Sequence, residues 1–155
     1  MDLILWRHAE AEPGEPGQPD ETRALTAKGR RQAAKMAEWL DRLLPDTCRI
    51  LASPALRTVQ TAELLGRKFK KHEALATDTS AEAILEAAHW PDSREPVLII
   101  GHQPTLGHVM SLLISGEEQD WTIRKGSICW IARKMEGEMK VNYLKAVLGP
   151  DLVGK

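Results

Sequence analysis

Cysteine is scarce in this chain. Cys48 and Cys129 are its only two, far apart and without a CxxC pair, so neither a disulfide framework nor a thiolate zinc site is expected. Both lie in or beside apolar stretches (CRILAS and SICWIA), which marks them as buried free thiols and predicts a cytoplasmic protein. Long apolar runs are missing too: none approaches the roughly 18–20 residues that cross a bilayer. The opening MDLILWRHAEAEPGEPGQP has neither the basic lead nor the small-residue cleavage signal of a secretory leader. Nor is there an excess of one charge. Lys and Arg number 21 against 22 Asp and Glu, for a formal charge of -1, so no overall positive field points to nucleic acid or an acidic membrane surface. Repeats, linkers and low-complexity tracts are also absent. What is present is ordinary for a globular protein, 43% hydrophobic and 28% charged in 155 residues. That length suits a single domain over 1–155 with one substantial core.

Strand-like and helix-like segments alternate. DLILW (2–6) is a short apolar strand that stops at Arg7, and the proline- and glycine-rich stretch 13–19 then forces a loop. From Thr26, Ala33, Met36, Ala37, Leu40, Leu43 and Leu44 recur at three- and four-residue steps, predicting a helix with one apolar face that ends before Pro45. RILA (49–52) reads as a strand, and Pro54 as the first turn of a helix running to about Lys71 with Val59, Ala62, Leu65 and Phe69 inward. A short strand is expected at 74–78, then a helix capped by Ser80 that lasts until Pro91. VLII (97–100) is the clearest buried strand. A helix over 106–114 and two strands, 127–133 and 139–147, turning through Gly137, complete the pattern. The architecture expected is α/β: a three-layer sandwich with a mainly parallel central sheet, helices on both faces and an antiparallel edge.

In such sheets a ligand binds beyond the carboxyl ends of the strands. The first strand ends at Arg7 and His8, the second at Ser53-Pro54 with Arg57 one turn further, and VLII at Gly101-His102. Each residue has a plainer reading when taken alone: a solvated strand end, a partner for an acid such as Glu63, a satisfied loop histidine. Their joint arrival at equivalent topological positions is much harder to dismiss. A neutral imidazole is a good nucleophile, guanidiniums match phosphoryl oxygens, and a second imidazole can donate a hydrogen bond where charge gathers in a transition state. The arginines also disfavour a protonated imidazole, and activity is expected to fall toward about pH 5 as His8 gains a proton. They repel a metal cation, so zinc on His8 and His102 is not expected, nor any cofactor.

LWRHAEA, SPALRTVQTAE and IIGHQP together resemble the Arg-His, second-arginine and second-histidine motifs of the histidine phosphatase (phosphoglycerate mutase-like) superfamily. With the short chain and DETRALTAKG, the likeness is greatest to SixA-type phosphohistidine phosphatases over essentially the full length. The resemblance implies a phosphoglycerate mutase-like fold. It implies a covalent phosphohistidine on His8, with Arg7, Arg57 and His102 completing a phosphate pocket. It also implies that Arg23 is a fourth cationic contact and Asp20 a rim residue that orients it.

Two departures stand out. Ala9 replaces the signature glycine, which raises the question of a backbone conformation that glycine adopts most easily. And no glutamate aligns with the superfamily's usual acid; Asp78, Glu82 and Glu86 are the available candidates, each with a simpler reading as a cap or surface charge. A site without a strong acid favours phosphohistidine over alkyl phosphates, since an alkoxide needs a proton and an imidazole can leave neutral. The expected substrate is therefore a phosphohistidine-bearing protein. The alternatives are a small phosphorylated molecule or a silent phospho-binding module; a mutase lacks the chain to enclose its substrate.

Overall fold

The computed structural model describes residues 1–154. In chain order the elements are β1 (Asp2–Arg7), α1 (Ala27–Leu43), β2 (Arg49–Ala52), α2 (Leu56–Glu63), β3 (Lys70–Lys71), α3 (Ala81–Ala87), β4 (Val97–Gly101), α4 (Thr105–Ser115), β5 (Ile128–Glu136) and β6 (Met139–Leu148). The strands form one sheet in the order β3-β2-β4-β1-β5-β6. β3, β2, β4 and β1 are mutually parallel, and β5 and β6 add an antiparallel edge closed by a turn at Gly137 (φ +63°).

Side chains on the central strands alternate between two cores. Ile4, Trp6, Ile50, Ala52, Leu98 and Ile100 face α1 and α2, meeting Ala33, Met36, Ala37, Leu40 and Ala62. Leu3, Leu5, Leu51, Val97 and Ile99 face α3 and α4, meeting Ile84, Leu106 and Val109. A strand covered on both sides has no polar face, which is why VLII and DLILW read as continuous apolar runs. Trp6 and Trp130 are buried and Trp39 packs edge-on against Trp130. No helix among the described residues is long and apolar enough to cross a membrane.

Caps fall where the sequence places them: the Thr26 and Ser80 hydroxyl oxygens accept the Gly29 and Ala83 N–H groups. The second helix is shorter than expected. α2 stops at Glu63, Gly66 turns with φ +73°, and Lys70–Lys71 then pair with Leu51 and Ala52 as β3. The cause is tertiary. The Arg67 guanidinium donates to the Asp41, Leu44 and Pro45 carbonyls at the end of α1, pulling the chain away from a helical path. The strand expected at 74–78 is instead a 3-10 turn over Glu73–Leu75, with His72 at its cap. Pro54 lies outside α2, whose N-cap is Ala55. Leu43, expected inward, is 52% exposed while Leu44 is buried.

α1 sits directly on the segment that follows β1. A Cβ on Gly29 would lie 2.0 Å from the Glu10 carbonyl oxygen, and Thr26 N–H donates to that same oxygen (3.0 Å). Gly29→Ala must push the helix and that segment apart. We expect a loss of about 2 kcal/mol in urea unfolding, the scale of overpacking a filled core; an unchanged midpoint would contradict this close seating.

Candidate active site

β2, β4 and β1 are consecutive neighbours in the sheet, so their carboxyl ends lie side by side. Backbone bonds continue past the strands: His8 N–H donates to Gly101 O (3.2 Å), Ser53 N–H to Ile100 O (3.0 Å) and Gly126 N–H to His8 O (3.0 Å). Arg57 stands in the first turn of α2, only 4% exposed. Arg7, His8, Arg57 and His102 all line one cavity of about 190 Å³, together with Arg23.

His8 is held at both ring nitrogens. Nδ1 lies 2.7 Å from the Ala9 carbonyl, which can only accept, and the Arg57 Nε–H donates to Nε2 at 3.4 Å. A guanidinium has donors only. The neutral ring therefore carries its proton on Nδ1, and its lone pair on Nε2, beside Arg57.

Arg57 is in turn fixed by Asp20: Nη2 to Oδ2 and Nη1 to the backbone O, both 2.9 Å. The other carboxylate oxygen, Oδ1, accepts from Arg23 Nε (3.0 Å). Asp20 thus pairs with both Arg23 and Arg57. Hydrogen bonding from Arg57 and then Arg23 keeps its carboxyl below the ordinary range.

His102 packs beside His8, ring centroids 5.3 Å apart. Its Nε2 is 2.7 Å from the hydroxyl of fully buried Ser53, and that oxygen already accepts Ala55 N–H. Nε2 is the only acceptor this buried hydroxyl meets among the described residues, and with the Ser53 proton given to it Nδ1 is the ring's N–H. Nδ1 is buried without a partner among the described residues, as is Arg7 Nε; the Arg7 Nη1 donates to Ile123 O (3.0 Å).

Thr77, Gln103 and Lys125 also line the cavity. None carried a signal in sequence except Gln103, which follows His102 in the IIGHQP motif. No carboxylate belongs to the lining. Asp78, Glu82 and Glu86 are exposed on the far side of Thr77 in sequence. Glu86 lines a separate, larger recess of about 510 Å³ along β2 and α3, which contains none of the residues above. Ala9 is fully buried and is not among the positive-φ residues, so its backbone does not require glycine.

The sequence model of the histidine phosphatase superfamily (branch 1) matches residues 3–79. The chain is 34% identical over 128 residues to an uncharacterised protein of Picosynechococcus sp., covering 76% of this chain and 75% of that protein. It is 29% identical over 131 residues to phosphohistidine phosphatase SixA of Escherichia coli K12, covering 76% of each. Among solved structures, the protein histidine phosphatase SixA complexed with tungstate superposes with a TM-score of 0.76 at 22% identity, over 97% of this chain and 98% of that one.

Burial shapes the electrostatics more than the arginines do. It is the leading cause that pulls His8 down to about 3, with His102, Arg57 and Arg7 adding to it and the Ala9 carbonyl opposing. His102 is pulled down to about 4, by burial and then Arg57. Both imidazoles are thus held neutral at neutral pH, and protonation of His8 moves from the ordinary value near 6.5 to about 3, below the fall toward pH 5 expected from the sequence. The unfolded chain binds these protons below about pH 6.5 and the folded one does not, so stability drops as pH falls from there. At pH 5 we expect each imidazole to cost on the order of 2 kcal/mol relative to pH 8. Urea unfolding at the two pH values, with His8→Asn and His102→Asn as controls, measures this. Equal acid sensitivity in wild type and both variants would refute it.

Proposed function

The chain belongs to the histidine phosphatase superfamily, and we propose that it is a metal-independent phosphatase hydrolysing phosphohistidine in a partner protein, with the whole chain acting as one domain. The observation that carries this reading is the His8 Nε2 lone pair, held beside Arg57 in a cavity lined by cations and free of carboxylates. The similarity to SixA supports the substrate. Two cysteines held as free thiols, Cys129 raised to about 12 and Cys48 to about 11 by burial, are in keeping with a cytoplasmic setting.

The reaction has two steps. Nε2 of His8 attacks phosphorus in line while the bond from phosphorus to the substrate nitrogen breaks, its electron pair leaving on an imidazole whose other nitrogen carries a proton. Arg7, Arg57 and Arg23 hold the equatorial oxygens, and the His102 Nδ1–H donates to the one where charge builds. Water then attacks phosphorus, the His8–P bond breaks, and neutral His8 and inorganic phosphate result. Asp20 cannot serve as the acid, being kept ionised by its two arginines. Its part is to fix Arg57. With no carboxylic acid in the lining, the site suits a leaving group that needs no proton from the enzyme, as in an N–P bond, and disfavours an alkyl ester.

Rapid-quench labelling should place the phosphoryl group on His8. His8→Ala should lose at least about 10⁴-fold in turnover, and His102→Ala about 10²-fold in kcat. Tungstate, a phosphoryl mimic, should inhibit, and EDTA should have no effect. Equal kcat/KM on an alkyl phosphate and on phosphohistidine would favour a small-molecule phosphomonoesterase instead. Phosphate binding without turnover would leave only a phospho-binding module.

A further inference from the structure

We infer that a cationic recess adjoining the catalytic pocket docks an acidic stretch of the phosphorylated protein, flanking its phosphohistidine; this rests on the phosphatase reading above. The recess, about 300 Å³, shares Arg7 and Lys125 with the pocket and adds Lys28 and Arg124. One carboxylate, Glu10, lies in its lining, and it is engaged by the Thr26 hydroxyl (2.8 Å). Among the described residues Lys28 and Lys125 have no ion-pair partner, and Arg124 has only a 3.6 Å contact to Asp151 with both side chains exposed. Four positive charges against one committed carboxylate is a local excess in a chain whose net charge is -1.

Lys28 makes the excess harder to explain by stability. It stands in the first turn of α1, a turn with no acidic residue, where the helix macrodipole favours an anion and opposes a cation. That turn does not drift, because Gly29 and Thr26 seat it on the Glu10 backbone, two residues from His8. A cation is thus held at an unfavourable position in a recess next to the His8 cavity, with no ion-pair partner among the described residues. An external anion supplies one.

The occupant follows from size and charge. The catalytic pocket, at about 190 Å³, is smaller than the roughly 300–1,000 Å³ of sites that enclose a whole small ligand. The phosphoryl group enters and the rest of the substrate crosses the rim. The recess and the pocket share Arg7 and Lys125 in their walls. A chain carrying aspartate or glutamate beside its phosphohistidine meets complementary charge there, and a basic one is repelled.

The test uses two short phosphohistidine peptides, alike except that the flanking residues are aspartate in one and lysine in the other. Wild type should favour the acidic peptide by roughly tenfold in kcat/KM at low ionic strength, and the preference should shrink severalfold on adding about 0.3 M salt. The Lys28→Glu/Arg124→Glu double variant should abolish the preference while hydrolysing phosphoimidazole within about twofold of wild type, since neither residue lines the catalytic pocket. Turnover of both peptides at equal rates by wild type overturns the inference. So does a stronger preference for a small diphosphate ester that the same charge reversal abolishes. Fluorescence anisotropy of the labelled peptides separates the two readings: tighter, salt-sensitive binding of the acidic peptide without turnover keeps the recess and sinks the phosphatase, whereas absence of that binding preference sinks the recess.

Discussion

The two hydrogen bonds on the His8 ring are the constraint on which the site depends. A backbone carbonyl at one nitrogen and a guanidinium at the other leave the neutral imidazole one tautomer, with its lone pair on Nε2. Either partner alone sets the same tautomer, and the two together also fix the plane of the ring. Each partner has its own anchor. The Ala9 N–H donates to Thr61 Oγ1, which itself donates to the Arg57 carbonyl, and Asp20 holds the guanidinium from outside. The chain of contacts closes on itself, so the nucleophile and its principal cationic neighbour are positioned together.

Such an arrangement works against folding. Two imidazoles are buried in neutral form among arginines, and a buried cation needs compensation. Asp20 supplies part of it for Arg57, from a position that is half exposed, where the ion pair costs less desolvation than a fully internal one. His102 Nδ1 and Arg7 Nε are left with no partner in the protein, and unpaired buried donors are costly. On the phosphatase reading, a tetrahedral oxyanion in the cavity brings negative charge to the arginines that line it, and the two apolar cores on either side of the sheet offset the penalty.

How much of this was legible in the sequence follows a physical pattern. VLII and DLILW could be read as buried strands because a strand covered on both faces must be apolar throughout, and the strand-end rule then brought Arg7, His8, Arg57 and His102 to one edge. Side chains that depend on a loop's path were harder. The family resemblance paired Asp20 with Arg23, but its grip on Arg57, 37 residues along the chain, has no periodicity to betray it. Ser53 was taken as a strand terminator, and nothing local says that its hydroxyl meets an imidazole 49 residues away. Thr77 and Lys125 are brought in by loops. The early end of α2 was hidden for the same reason: Arg67 is a good helix former whose guanidinium is claimed by the end of α1. The nucleophile's titration was misplaced because composition shows the neighbouring charges but not burial, the larger cause.

The division between pocket and rim bears on how a small phosphatase can be selective. On the phosphatase reading proposed above, groups inside the pocket meet phosphoryl oxygens that every phosphorylated substrate shares, so they would accelerate the chemistry without distinguishing partners. Discrimination must then come from groups that touch the remainder of the substrate. In this chain those adjacent to the pocket are long, exposed and cationic, Lys28, Arg124 and Lys125. Charges of that kind change encounter rate and salt dependence more than they change the barrier of a bound complex. If the leaving group decides which bond breaks and the rim's charge which surface arrives, as proposed above, neither form of selectivity requires a segment to close over the substrate. Arg7 and Lys125 are the residues where the two meet, since both line the pocket and the recess beside it.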